Sequence, residues 1–215
     1  MNRHHFIALV IAATTLGSCA AALAAGTPPM TQTILVVGDS LSAEYGLKRG
    51  TGWVALLENR LKTEKLKATV INASISGETT SGGRSRLGAL LSQHRPSHVI
   101  IELGGNDALR GLPLSLTEDN LSQMTQAAQA VGARVLLVGM QVPPNYGRDY
   151  ADRFAAIFAV VAKAQKAALV PFFLAGVGDG TDPTQMFQAD RIHPKAEAHP
   201  IMLTNVWPVL RKLLK

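Results

Sequence analysis

The chain has 215 residues, 47% hydrophobic and 17% charged, a balance that fits one globular domain and excludes a disordered, collagen-like or coiled-coil protein. No apolar run reaches the roughly 18 residues that span a bilayer, and the single cysteine excludes an internal disulfide framework or a multi-cysteine metal site. The formal charge of +6 arises from 21 Lys and Arg against 15 Asp and Glu, without the dense basic block that points to nucleic acid.

Residues 1–24 read as an export signal and stand outside the fold. Arg3 supplies a positive start, Phe6 to Leu16 a short apolar stretch, and Ala22-Leu23-Ala24 the small residues of a cleavage site. This predicts a mature chain of residues 25–215, a single domain, in a periplasm or outside the cell. Leu16-Gly17-Ser18-Cys19 resembles a bacterial lipobox, so a lipid anchor at Cys19 in the envelope is the alternative address. Either route leaves no free structural cysteine in the mature body, which suits an oxidising compartment.

Beyond the signal, short β-rich runs alternate with segments of helical period. Thr33–Val37 reads as a strand. Trp53 to Leu61 reads as a helix whose apolar face is Trp53, Val54, Leu56, Leu57 and Leu61. A strand over 68–73, a helix over 85–92 and a strand over 98–103 follow. Thr117 is a candidate cap for a helix reaching about Val131. A strand over 134–140, a helix over 149–165 and a strand over 168–173 come next, then a loop rich in Gly, Asp and Pro over 176–184. The segment 196–214 reads as helical despite Pro200 and Pro208. The alternation predicts an α/β fold, a three-layer α/β/α sandwich on a mainly parallel five-stranded sheet. The nearly unbroken apolar strands fit a sheet covered on both faces.

In such a sheet, sites form just past the carboxyl ends of the strands. Gly38-Asp39-Ser40-Leu41-Ser42 follows the first strand, and Asn72 to Thr79 follows the second. Gly104-Gly105-Asn106-Asp107, read as a loop, follows the third, and Asp190-Arg191-Ile192-His193-Pro194 lies near the C-terminus. Each alone is an ordinary turn. Together they hold the parts that acyl hydrolysis needs: a hydroxyl at an exposed turn, an imidazole to take its proton, a carboxylate to orient the imidazole, and N–H donors for an oxyanion. Asp190 and His193 stand three residues apart, a spacing that lets a carboxylate face an imidazole nitrogen across a turn.

The segments VVGDSLSAEYGL, INASISGETTSGG, IIELGGNDALRG, VPPNYG and DRIHP resemble the SGNH branch of the GDSL-type hydrolases. Within it they look like the secreted bacterial group with thioesterase, lysophospholipase and arylesterase activity, and the likeness runs from about Ile34 to Leu214. The resemblance implies a flavodoxin-like sandwich and a serine esterase or thioesterase acting on aryl esters, acyl-CoA or lysophospholipids through an acyl-enzyme. It implies Ser40 as nucleophile, His193 as base and Asp190 as its partner. It also implies an oxyanion hole from the Ser40 and Gly77 amides and the Asn106 side chain. It places Leu109 and Leu112 at the acyl groove and Asn145-Tyr146 at the border of the site. No metal or cofactor is expected, and the default is a monomer acting on a small acyl substrate, with no nucleic acid and no membrane span.

Two residues depart from the pattern. Arg191 stands where the group commonly has Gly, so a cation could compete for Asp190. His199 stands where a neutral polar residue, often Gln, is expected, and reads as a surface helix residue. The rival readings are a carbohydrate deacetylase using the same parts and a non-enzymatic phosphate binder of flavodoxin type. Asp39 argues against the binder, because its charge sits where an anion would.

Overall fold

The structure, a computed structural model, describes residue 1, residues 31–179, residue 182 and residues 184–215. Residues 2–24 of the signal segment, Cys19 among them, lie outside the described residues. From Thr31 to Lys215 the chain packs as one compact unit.

Five strands, β1 (Gln32–Gly38), β2 (Ala68–Asn72), β3 (His98–Glu102), β4 (Arg134–Val138) and β5 (Ala168–Val170), form one sheet in the order β2-β1-β3-β4-β5. Every pairing is parallel, with Ile34 in register with Val70 on one side and His98 on the other. Parallel neighbours require crossovers. These are α1 (Trp53–Thr63), α2 (Thr80–His94), α3 (Gly105–Leu109) with α4 (Leu114–Ala130), and α5 (Arg148–Gln165), and α6 (His199–Leu213) closes the chain. Helix α1 packs on α6, while α4 packs on both α2 and α5. The two groups flank the sheet and make the expected three layers. Ile34 to Val37 and Val99 to Ile101 are wholly shielded from solvent, as a sheet covered on both faces demands.

The chain leaves β1 for β2 on one side and returns to β3 on the other. The strand order therefore reverses between β1 and β3, and a crevice opens past their carboxyl ends. Gly38 to Ser42 and Gly104 to Asp107 both emerge there.

Several boundaries differ from the sequence reading. Helix α2 starts at Thr80, five positions early, because Thr79 Oγ1 accepts the Gly82 N–H at 3.3 Å and caps it. Thr117 is not a cap. Helix α4 starts at Leu114 after Pro113, and the buried Thr117 hydroxyl turns inward to Asp107 Oδ1 at 3.4 Å. The segment read as a Gly-Gly-Asn-Asp loop winds into α3. Its buried Asp107 carboxylate accepts the Thr80 N–H at 2.8 Å and the Thr80 hydroxyl, which binds α3 to the start of α2. Strand β5 stops at Val170 because Pro171 has no N–H for the ladder. Pro200 is accommodated in the first turn of α6, and Pro208 lies inside that helix without ending it.

Candidate active site

Ser40 stands at the first turn after β1, with 9% of its surface exposed. The turn is helical in its bonding: the Ala43 N–H reaches the Asp39 carbonyl at 2.9 Å and the Tyr45 N–H the Ser40 carbonyl at 3.3 Å. Asp39 Oδ1 accepts the Leu41 N–H at 3.0 Å, which fixes the peptide after Ser40. Glycine is required at 38 by space. A Cβ there would lie 2.7 Å from Glu102 Oε2 and from Ser42 Oγ.

The far end of the chain supplies the imidazole. Asp190 Oδ1 accepts the N–H groups of Ile192 at 2.9 Å and His193 at 3.0 Å, closing a tight turn. Its other oxygen accepts the His193 Nδ1–H at 2.7 Å. His193 Nε2 then lies 3.0 Å from Ser40 Oγ. Bonds from the His193 and Ile192 amides and the His193 ring hold the Asp190 carboxyl down at about 2, so it stays ionised beside the imidazole.

Asn106, in the first turn of α3, donates from Nδ2 to Asp39 Oδ2 and to the Glu78 carbonyl, each at 3.0 Å. Gly77, next to Glu78, has φ +78°. A Cβ at 77 would meet nothing nearer than Arg110 Nη2 at 3.6 Å, so conformation, not crowding, calls for glycine there. Two arginines pin this loop. Arg110 Nη2 donates to the Gly77 carbonyl at 2.8 Å, and Arg86 donates to Glu78 Oε2 and to the Ala73 carbonyl, both at 2.6 Å. Leu109 adjoins Arg110 and is exposed, while Leu112 is half-buried; neither is plain core. Tyr146 stacks on Tyr150, whose hydroxyl donates to the Ala108 carbonyl at 3.2 Å.

The sequence reading missed what lies beneath the Ser40 turn. Glu102, at the end of β3, is fully buried. Its Oε2 accepts the Ser42 hydroxyl at 2.6 Å and the Asp39 N–H at 3.3 Å, and the Trp53 indole N–H donates to Ser42 Oγ at 3.1 Å. Burial raises the Glu102 carboxyl far above the usual carboxylate range, and the Asp39 charge adds to this. Burial likewise lifts Asp39 to about 6, against the opposing pull of the Leu41 N–H. A signal existed: an acidic residue closing an apolar strand of a doubly covered sheet must find partners.

The two departures resolve differently from expectation. Arg191 is exposed, with φ +59°, and among the described residues the ion-pair partner of Asp190 is His193, not Arg191. The position is the left-handed corner of the Asp190 turn, which explains why glycine suits it. His199 is buried, not on the surface. Its Nδ1 accepts the N–H of Trp53, the first residue of α1, at 3.0 Å. It thereby caps a helix whose own preceding residue is Gly52, which has no side chain to do so. Burial drives its pKa down to about 4.

Among the described residues, no cluster of three or more His, Cys, Asp or Glu side chains is disposed to hold a metal ion. No helix there is long and apolar enough to cross a membrane.

The chain is 51% identical over 199 residues to Esterase TesA of Pseudomonas aeruginosa, covering 93% of this chain and 98% of that one. It is 44% identical over 170 residues to Thioesterase 1/protease 1/lysophospholipase L1 of Escherichia coli K12, covering 79% of each. A crystal structure of TesA superposes with a TM-score of 0.82 at 53% identity, over 85% of this chain and 99% of that one. Residues 36–201 match the family described as GDSL-like Lipase/Acylhydrolase. With that match spanning both the Ser40 turn and the Asp190–His193 turn, the chain belongs to the GDSL-like lipase/acylhydrolase family.

Proposed function

We propose that this chain is a carboxylic ester hydrolase that cleaves esters and acyl thioesters by a serine mechanism on Ser40, Asp190 and His193. One observation carries the assignment of residues: the line from Asp190 Oδ2 through the imidazole to Ser40 Oγ, with bonds of 2.7 and 3.0 Å. Ionised Asp190 keeps the Nδ1 proton in place and leaves Nε2 free to accept the Ser40 proton as Oγ attacks the acyl carbonyl. The resulting oxyanion meets the backbone N–H groups of Ser40 and Gly77 and the Asn106 amide. The imidazolium gives its proton to the leaving alcohol or thiol, and an acyl-Ser40 ester remains. Water, deprotonated by His193, then hydrolyses that ester and restores the serine.

Leu109 and Leu112 border the acyl chain in this reading. Leu109 follows Asn106 by three residues in α3, a spacing that puts both on one face of the helix, and it is exposed. Aryl esters, acyl-CoA and lysophospholipids are the proposed substrates, supported by the thioesterase and lysophospholipase named for the Escherichia coli relative. The signal pattern of residues 1–24 supports export to the periplasm or beyond, with lipidation at Cys19 as the alternative address.

The test is covalent. A fluorophosphonate labels the wild-type chain at Ser40, and Ser40→Ala abolishes the label. Persistent labelling of another serine refutes the assignment. Parallel assays on p-nitrophenyl acetate, an acyl-CoA and an acetylated xylan separate an acyl esterase from a carbohydrate deacetylase.

A further inference from the structure

The Asp190–His193 turn belongs to no helix or strand, yet it must be held against a serine from the other end of the chain. Besides the Ser40–His193 bond, two contacts of Tyr45 bridge this distance. The Tyr45 ring lies over the His193 imidazole, with centroids 4.2 Å apart and planes inclined by 35°. Its carbonyl accepts the Gln188 Nε2–H at 3.0 Å, and the same nitrogen donates to the Pro194 carbonyl at 3.1 Å. Gln188 is also tied to the imidazole's own residue, since its N–H donates to the His193 carbonyl at 2.8 Å.

The loop that carries Tyr45 is fitted to this task. A Cβ at Gly46 would fall 2.2 Å from Gln188 Oε1, so the glutamine amide occupies the space a side chain would need. On the other flank, Glu44 accepts the N–H groups of Gly50 at 3.0 Å and Gly52 at 2.7 Å, which anchors the loop to the start of α1. Tyr45 itself remains half-exposed, so burial in the core does not account for its position.

We infer that Tyr45 and Gln188 form a clamp that sets the plane of the His193 ring and keeps Nε2 on Ser40, with Tyr45 as a positioning residue. Asp190 fixes one nitrogen of the imidazole, which still leaves the ring free to swing about that bond. A flat aromatic face against the ring removes this freedom. The inference rests on the reading of Ser40 and His193 as the reacting pair.

The experiment compares Tyr45→Ala, Tyr45→Phe and Gln188→Ala in the full chain, with p-nitrophenyl butyrate turnover, fluorophosphonate labelling rate and the downfield Nδ1–H proton resonance of His193. Tyr45→Ala is expected to lower kcat and the labelling rate about tenfold, the scale of one aromatic pair, with KM changed less than about twofold, and to broaden the resonance. Tyr45→Phe, which keeps the ring, restores kcat to within about twofold, and Gln188→Ala lowers kcat with KM unchanged. A rise in KM at constant kcat in Tyr45→Ala makes Tyr45 a substrate contact and overturns the clamp. Equal losses in the Phe and Ala variants overturn it as well, as does no loss in Tyr45→Ala. Failure of the underlying reading has its own signature, full activity in His193→Ala, which none of the clamp variants produces.

Discussion

The side-chain amide of Asn106 donates to the carboxylate of Asp39 at 3.0 Å, so the residue before the proposed nucleophile orients the proposed oxyanion donor. The second amide hydrogen is also engaged, on the Glu78 carbonyl at 3.0 Å. An oxyanion therefore has to share or displace a neutral carbonyl. It can do so because a charged acceptor binds an N–H about twice as strongly as a neutral one. Asn106→Ala is expected to lower kcat by roughly 10²–10³ with little change in KM. A loss under about threefold removes Asn106 from the mechanism.

Asp190 is expected to matter through geometry and charge together. In Asp190→Asn the side-chain oxygen still closes the turn on the Ile192 and His193 amides, but an NH2 group faces the imidazole and forces the wrong tautomer. Steady-state turnover should fall by roughly 10³–10⁴, with the fold intact by circular dichroism. A loss below about tenfold excludes Asp190 as the orienting carboxylate.

Arg191 sits at φ +59° without an ion pair to Asp190. Arg191→Gly relieves a left-handed backbone at an exposed corner, at some entropic cost in the unfolded chain. The net expectation is a gain of about 0.5–1 kcal/mol in unfolding free energy, read by denaturant titration, with kcat within about threefold. A loss of stability shows that the arginine side chain makes a contact that outweighs the strain.

His199 gives a stability that depends on pH. Its pKa is 6.5 as a free group and about 4 in the fold, so between these values the unfolded chain binds more protons. Stability is then complete above about 6.5 and is lost as pH falls towards about 4. Asp39 runs the other way, from 3.8 free to about 6 folded, so its burial costs stability as pH rises through that window. Comparing wild type with His199→Gln cancels the Asp39 effect, since both chains keep it. Glutamine can still accept the Trp53 N–H but does not titrate, so wild type should lose stability relative to it between about pH 7 and about pH 4.5. His199→Ala leaves that buried N–H unpaired and should cost about 2 kcal/mol at neutral pH. Parallel pH curves for wild type and His199→Gln reject the assignment.

The pattern of residues already contains the fold and the parts of the site. Alternating apolar runs and helical periods dictate a parallel sheet, because each is set by its neighbours along the chain. The Asp190–His193 pair is legible for the same reason, being a three-residue turn closed by its own carboxylate. Other features depend on segments far apart in sequence. Thr117 has the chemistry of a cap, but a buried Asp107 needed its hydroxyl more. His199 has the composition of a surface position, yet an uncapped helix 146 positions away recruits its nitrogen. Glu102 and Asp39 are ordinary acids in a sequence, and their raised pKa values come from water being excluded by layers assembled from the whole chain. Local bonding energies can be read from a string of residues. Desolvation cannot, because it is set by everything packed around a group once the chain has closed on itself.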